Sequence, residues 1–192
     1  TFFNVINEIH PTRFVFAIDV KGGTSARKEK NENYKANRKA KPKEFYEDLS
    51  NLIENYIPKL KINPLGLVGY EADDIIGGAC KYISESPELF PNYHIYILSG
   101  DADLEQCIKY TEHISFIKTQ PDWKIVHRDE ILEKWGRIDP SQITLLKAIT
   151  GDGSDNISGV PRYKIKRALK VLDNQSFLDQ HSELINNNID II

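Results

Sequence analysis

Apolar positions along this chain alternate between helical spacing and unbroken runs. Phe2, Val5, Ile6 and Ile9 recur at helical spacing and read as the end of a helix. Residues 14–18 form a continuous apolar run that ends in Asp19. A buried parallel strand reads this way when it delivers an acid to its carboxyl end. Residues 21–43 are polar and are broken by Gly22-Gly23. Helical spacing returns over 44–60 through Phe45, Leu49, Leu52, Ile53 and Ile57. A short strand is predicted over 65–68, and a helix over 73–83 with Ile75, Ile76, Ala79, Cys80 and Ile83 on its apolar face.

Residues 94–99 form a second buried strand, and it too runs into acids. A short helix is predicted to start at Asp103, a hairpin over 114–117 and 124–126, and helices over 129–135 and 143–149. Gly159-Val160-Pro161 reads as a turn into a basic helix over 164–172, and the tail beyond Gln175 is helical before it becomes Asn-rich. There are no internal repeats. Strands alternating with helices predict an α/β fold on a mainly parallel sheet flanked by helices, with a helical carboxyl-terminal part from about Asp129.

Seven carboxylates fall in three clusters: Glu71, Asp73 and Asp74; Asp101 and Asp103; Asp152 and Asp155. Each cluster sits where a strand or loop hands over to a helix, and Asp19 sits at a strand end. One cluster alone is well explained by helix capping, because acids are favoured in first turns. Three clusters with Asp19 are harder to explain that way. Converging carboxylates repel and are costly to desolvate unless cations join them. Oxygen-only ligands suit Mg²⁺ or Mn²⁺ rather than zinc. Glu71 and Asp74, three apart, share a helix face that Asp73 does not, which places Glu71 just before the helix begins.

Charge changes the picture further. The chain has 192 residues and a net charge of −3, but its charges are segregated. Residues 27–43 hold eight bases (Arg27, Lys28, Lys30, Lys35, Arg38, Lys39, Lys41, Lys43) against Glu29 and Glu32, a net +6. Arg162, Lys164, Lys166, Arg167 and Lys170 follow each other with no acid among them. Acid to hold metal beside base to hold phosphate points to phosphodiester chemistry. Taken alone, the first basic stretch reads as a solvated surface loop. Tyr34, set among Lys35 and Arg38, weakens that reading, because an aromatic among cations can stack a base.

The remaining composition excludes several classes. An apolar fraction of 40% and a charged fraction of 28% are those of a soluble globular chain. No apolar run approaches the roughly 18 residues that span a membrane, and no secretory leader is visible. Cys80 and Cys107 have no metal-ligand spacing and read as buried thiols in a reducing compartment. The five histidines read as structural or surface residues, and Trp123 and Trp135 as core. There is no Met, even at position 1, as expected of a chain that lacks residues at its start.

Four motifs together resemble the 5′-nuclease family, which comprises the 5′→3′ exonuclease domain of bacterial DNA polymerase I, phage 5′ exonucleases and flap endonucleases. They are Tyr34-Lys35-Ala36-Asn37-Arg38, Gly69-Tyr70-Glu71-Ala72-Asp73-Asp74, Ser99-Gly100-Asp101-Ala102-Asp103-Leu104, and the run from Gly151-Asp152-Gly153-Ser154-Asp155 to Gly159-Val160-Pro161. Their order and rough spacing agree with the family over about residues 14–172. The resemblance implies a PIN-like α/β fold with a helical arch and a carboxyl-terminal helical duplex-binding element. By position, it divides the chain into a metal-binding nuclease core over 1–128, including a basic arch over 21–43, and a helical part over 129–192. Residues 152–172 of the latter match a helix-turn-helix-like element.

The resemblance also implies a cut, dependent on two Mg²⁺ or Mn²⁺ ions, in DNA or RNA paired to DNA, near a 5′ end or a flap junction. Asp19, Glu71, Asp73, Asp74, Asp101, Asp103, Asp152 and Asp155 match the family's metal-site acids. Lys35 and Arg38 match arch residues that draw in and orient the scissile phosphate, with Tyr34 stacking on a base and Arg27 among the DNA-binding cations. Gly159, Lys164, Lys166 and Arg167 would hold duplex phosphates without reading sequence. The setting implied is a monomer in a bacterial or phage-type cytoplasm, associated with the nucleoid and not with membrane.

Two features depart from the family pattern. Members begin with a strand ending in a metal-binding Asp, and this chain starts after that point. The duplex-binding turn usually reads Gly-Val-Pro-Gly-Ile-Gly, whereas Arg162 and Lys164 follow Pro161 here. Losing those glycines is expected to restrict positive φ, to weaken a K⁺ site at the turn, and to make duplex binding more salt-dependent. Two other readings compete with an active nuclease. One is a DNA-binding module of the same fold that is catalytically weak or inactive. The other is a Toprim-like metal domain using Glu71, Asp101 and Asp103, in which Asp152, Asp155 and the Tyr34 motif have no place.

Overall fold

The computed structural model describes residues 2–20, 22–62, 64–119 and 123–192. Helix α1 (Phe2–Ile9) leads to strand β1 (Phe16–Ala17). Helices α2 (Ser25–Lys30) and α3 (Lys43–Asn51) follow, then strand β2 (Pro64–Leu65), helix α4 (Ala72–Glu85) and strand β3 (Ile95–Leu98). After a 3₁₀ segment (Asp103–Lys109) come strands β4 (Ile114–Lys118) and β5 (Lys124–His127), then helices α5 (Arg128–Lys134) and α6 (Gln142–Thr150). Strands β6 (Gly151–Asp152) and β7 (Ile157–Ser158) and helices α7 (Ile165–Ala168), α8 (Gln175–Gln180) and α9 (Ser182–Ile189) complete the chain.

β1 pairs in parallel with β2, and β3 with β4, while β5 runs antiparallel to β4 as the predicted hairpin. The mainly parallel α/β expectation is met. Among the described residues, β1 and β3 each have a hydrogen-bonded neighbour on one side only. An apolar groove of about 760 Å³ is lined by both strands, through Phe16 and Leu98, and by Phe3, Leu52, Tyr56 and Leu60. A strand with one partner is stabilised from one side only, and β1 is correspondingly shorter than the apolar run over 14–18.

Two predicted helices are reshaped. The helix expected over 44–60 is α3 followed by a π-helical turn (Leu52–Tyr56) and a 3₁₀ turn (Pro58–Leu60). Pro58 has no N–H to continue an α-helical ladder. The basic helix expected over 164–172 closes after Ala168. Lys170 and Val171 donate to Arg167 and Ala168, three residues back, which tightens the chain into a turn.

The main core packs α4, the 3₁₀ segment and α6 around β3–β5. Phe116, Ile143, Leu146, Ala148 and Ile149 are fully buried within it. This cluster crosses position 128 and continues to Phe177 and Ile185. Asn188 on α9 donates to the carbonyls of Ala148 and Ser158, tying α9 to α6 and β7. Buried Glu105 accepts from Trp135 Nε1 and from Lys134, and lies 3.3 Å from Lys118, so a charge inside the core is fully partnered. No helix among the described residues is long and apolar enough to cross a membrane.

Candidate active site

The acids collect where β1 and β3 end and α4 begins. Glu71 is the N-cap of α4, as its spacing to Asp73 required. Asp74 accepts the Glu71 N–H at 2.8 Å, so this clustered acid performs a capping role. Asp74 also receives both terminal nitrogens of Arg27 at 2.6 Å. Burial pushes the Asp74 carboxyl up, but the Arg27 hydrogen bonds, the Glu71 N–H and the charges of Arg27 and Lys35 together hold the group below the usual carboxylate range. Arg27 Nε donates to the Ile191 carbonyl at 2.7 Å. Placed among DNA-binding cations by resemblance, Arg27 has its guanidinium engaged inside the protein.

The Tyr34 motif folds onto the Asp152–Asp155 loop. Lys35 takes a left-handed conformation, φ 56°, and its N–H donates to the Asp155 carbonyl. Asn37 donates to Gly153 O, and Asn156 donates to Asn33 O. Lys35 Nζ lies 2.7 and 2.8 Å from the two Glu71 oxygens, and Arg38 pairs with Asp155. The Tyr34 hydroxyl bridges Glu71 at 2.8 Å and Asp155 at 3.1 Å. Burial and these two carboxylates push it far above the ordinary tyrosine range. The Tyr34 ring is only 2% exposed, so in this structure it offers no face to a base. Its hydroxyl needs partners, and the two acids supply them.

Asp19, Asp73 and Asp101 form a second group. None of the three has an ion-pair partner among the described residues. Burial, then the negative charge of Asp101, push the Asp73 carboxyl up to about 6; Lys35 opposes this, and Asp19 and Glu71 add to it. Asp19 Oδ1 accepts the Ala72 N–H at 2.7 Å, and Asp101 Oδ1 accepts the Asp103 N–H at 2.9 Å. Each bond orients a carboxylate and leaves its other oxygen for a cation.

Asp103 and Asp152 meet on a residue that the sequence reading missed. Lys147 on α6 is 5% exposed; its ammonium pairs with Asp103 and lies 3.5 Å from Asp152. Burial raises the Asp103 carboxyl, Lys147 opposes the rise, and Asp152 and Asp101 add to it. Burial also pushes Asp152 up, but the Ser154 hydroxyl and Lys147 bring it below its usual range. The signal in the sequence was a lone lysine inside the apolar run Ile143-Thr144-Leu145-Leu146-Lys147-Ala148-Ile149. A buried lysine calls for an acid partner.

Among the described residues, no three His, Cys, Asp or Glu side chains form a ready-made metal cage. The donor set still fits a hard divalent ion, because Mg²⁺ is commonly held by one or two carboxylates and keeps several waters. The carboxylates without cation partners, Asp19, Asp73 and Asp101, are the ones placed to take it.

Lys164, Lys166 and Arg167 are exposed and are not among the partners of the clustered acids. Gly159 packs its backbone on Thr150 and Gly151, where a Cβ would come within 2.3 Å of the Thr150 carbonyl carbon. Arg162, in the place of a family glycine, takes φ 70°. The expected loss of positive φ is therefore corrected at this position. The left-handed backbone is kept, at a cost of roughly 1–2 kcal/mol for a residue with a Cβ.

Comparison with known proteins agrees with this geometry. Residues 1–136 match the family model described as the 5′-3′ exonuclease, N-terminal resolvase-like domain. DNA polymerase I of Lactococcus lactis subsp. cremoris (strain MG1363) is 37% identical over 170 residues, covering 88% of this chain and 19% of that protein. The 5′-3′ exonuclease of Buchnera aphidicola subsp. Schizaphis graminum (strain Sg) is 32% identical over 172 residues, covering 90% of this chain and 56% of that protein. The chain thus spans well under two thirds of these relatives. A bacteriophage T5 flap endonuclease solved as a pseudo-enzyme–product complex with DNA and metal ions superposes with a TM-score of 0.77 at 22% identity, over 97% of this chain and 76% of that one. T5 5′-exonuclease with zinc bound also gives a TM-score of 0.77, at 22% identity over 99% and 78% of the two chains. With the fold of those nucleases and a family match over residues 1–136, the chain belongs to the 5′-3′ exonuclease family, through its N-terminal resolvase-like domain.

Proposed function

We propose that this chain carries the catalytic centre of a divalent-metal-dependent 5′ nuclease. It hydrolyses phosphodiesters near 5′ ends or flap junctions of DNA, and of RNA paired to DNA, in replication or repair. The observation that carries this reading is the Asp73 carboxyl, raised to about 6 beside Asp101, Asp19 and Glu71 with no cation paired to it among the described residues. A fold retains such repulsion where a bound cation relieves it.

Asp19, Asp73 and Asp101 would hold one Mg²⁺ or Mn²⁺, with Glu71 and Asp74 beside them. Asp103, Asp152 and Asp155 would hold a second. When bound, such ions lower the pKa of water and stabilise charge on the departing oxygen. Lys35 and Arg38 now neutralise Glu71 and Asp155. In the reading proposed here they exchange those carboxylates for the scissile phosphate and orient it. Lys147 keeps Asp103 and Asp152 close without letting their charges force them apart.

In the proposed division, residues 1–128 form the nuclease core, with the basic arch over 21–43. Residues 129–192 grip duplex through the helix-turn-helix-like element over 152–172. Lys164, Lys166 and Arg167 are exposed on that element and would meet backbone phosphates, with K⁺ at the turn after Gly159 as a further ion. A soluble, nucleoid-associated monomer is the setting this implies.

Incubation of the protein with a 5′-labelled flap and a nicked duplex tests the reading, with Mg²⁺, Mn²⁺ or chelator in parallel. Release of short 5′ products only in the presence of metal is expected. Flap binding with no cleavage in any metal would contradict the reading in favour of a non-catalytic DNA-binding module.

A further inference from the structure

The nuclease reading gives no role to the two cysteines. Cys80 lies on α4 and Cys107 in the 3₁₀ segment, both 2% exposed and both in the main core. Both are free, α4 packs against the 3₁₀ segment, and each thiol is the largest influence on the other's ionisation. They are the only cysteines in the chain. Cys80 follows Asp73 by seven residues, which is two helical turns along the same face. Cys107 follows Asp103 by four residues, a little over one 3₁₀ turn. The thiol pair therefore sits behind the acids, at the packing surface of the two segments that carry them.

Access is asymmetric. A cavity of about 330 Å³ is lined by Asp73, Asp74 and Asp103 at one part and by Cys107, Lys109 and Tyr110 at another. Cys80 is not among its lining residues. A small neutral oxidant passes carboxylates without repulsion and meets Cys107 first. Cys107 is thus the thiol that faces the cavity.

We infer that Cys80 and Cys107 form a dithiol that hydrogen peroxide closes into a disulfide, clamping α4 to the 3₁₀ segment behind Asp73 and Asp103. Cys107 sulfur attacks one peroxide oxygen, the O–O bond breaks, and the departing hydroxide leaves as water with the thiol proton. Cys80 sulfur then attacks the resulting sulfenic sulfur. An S–S bond forms, the S–O bond breaks, and a second water leaves. Two thiols lose two electrons, and one peroxide becomes two waters.

The test reads the chemistry directly and does not depend on nuclease activity. The native protein is treated with hydrogen peroxide, quenched, and analysed by intact mass and by thiol titration in denaturant. The expected result is loss of two hydrogens and of both titratable thiols per monomer, fully reversed by dithiothreitol. Cys80→Ser should instead leave a sulfenic acid on Cys107 that dimedone traps. Oxidised glutathione, too large for the cavity, should leave both thiols intact. Two thiols that still titrate after peroxide would overturn the proposal, as would added oxygen without a disulfide or a cross-linked dimer.

Discussion

The ammonium of Lys35 contacts both carboxylate oxygens of Glu71, at 2.7 and 2.8 Å, from a residue in the left-handed conformation. This contact joins the basic Tyr34 motif to the N-cap of α4, 36 positions away. A cation held at the site by its own acids is already in position when a phosphate arrives. Lys35→Ala is expected to slow single-turnover cleavage by about a hundredfold, the scale of losing one preorganised charge donor. Flap binding should weaken far less. An effect on binding alone would demote Lys35 to general electrostatics.

Lys147 is shared by two acids, Asp103 and Asp152, that otherwise repel. Lys147→Met keeps most of the side-chain volume and removes the charge. Leaving Asp103 and Asp152 uncompensated should cost about 3 kcal/mol of stability. Urea unfolding without divalent metal measures the loss, and added Mn²⁺ should restore part of it by binding only the folded state. Unchanged unfolding midpoints would mean that Lys147 does not neutralise the pair.

Asp73 sets a pH dependence with a definite sign. Its folded value of about 6 lies above its unfolded value. Between the two, the folded state binds more protons, so this group makes the metal-free protein less stable as pH rises from about 4 to 6. Asp73→Asn should remove that component of the pH profile and stabilise the metal-free protein at neutral pH. Denaturant melts across this range in chelator check it. Parallel profiles for the two proteins would contradict the assigned environment.

These contacts also mark what the sequence could disclose. The strands that lead into Asp19 and Asp101 and the helix that begins after Glu71 were legible because burial and capping are local rules. The capping explanation holds in part, since Asp74 caps α4, while Asp73 has no cation partner among the described residues and its role as a metal ligand is a proposal. Tyr34 was misplaced because its aromatic-among-cations pattern is the same for a base-stacking ring and a buried one. Only the tertiary contact with Glu71 and Asp155 distinguishes them. Lys147 escaped notice because it interrupts an apolar helix without disturbing its period. The π turn at Leu52–Tyr56 has no signature in apolar spacing, and Pro58 marks only the position by which the α-helix must end. At Arg162 the composition pointed the wrong way, because the turn imposes φ 70° on a residue with a side chain.

The exposed cations after Pro161 give a salt-dependence test. Each phosphate contact adds about 0.9 to the slope of log K against log salt. Lys164→Ala combined with Lys166→Ala should therefore flatten the slope for duplex binding by roughly 2, with no preference among sequences. A shallow slope in the unmodified protein would remove the duplex-binding role from this element.

The most direct test of the central claim compares Asp101→Asn with the unmodified protein, measuring flap cleavage and flap binding in Mg²⁺ side by side. Asp101 has no cation partner among the described residues, and its charge raises Asp73. If these acids hold the ions for cleavage, the substitution abolishes product release while binding stays equal or tightens, because one repulsive charge leaves the phosphate site. Cleavage at the unmodified rate would exclude Asp101 as a ligand and contradict the account.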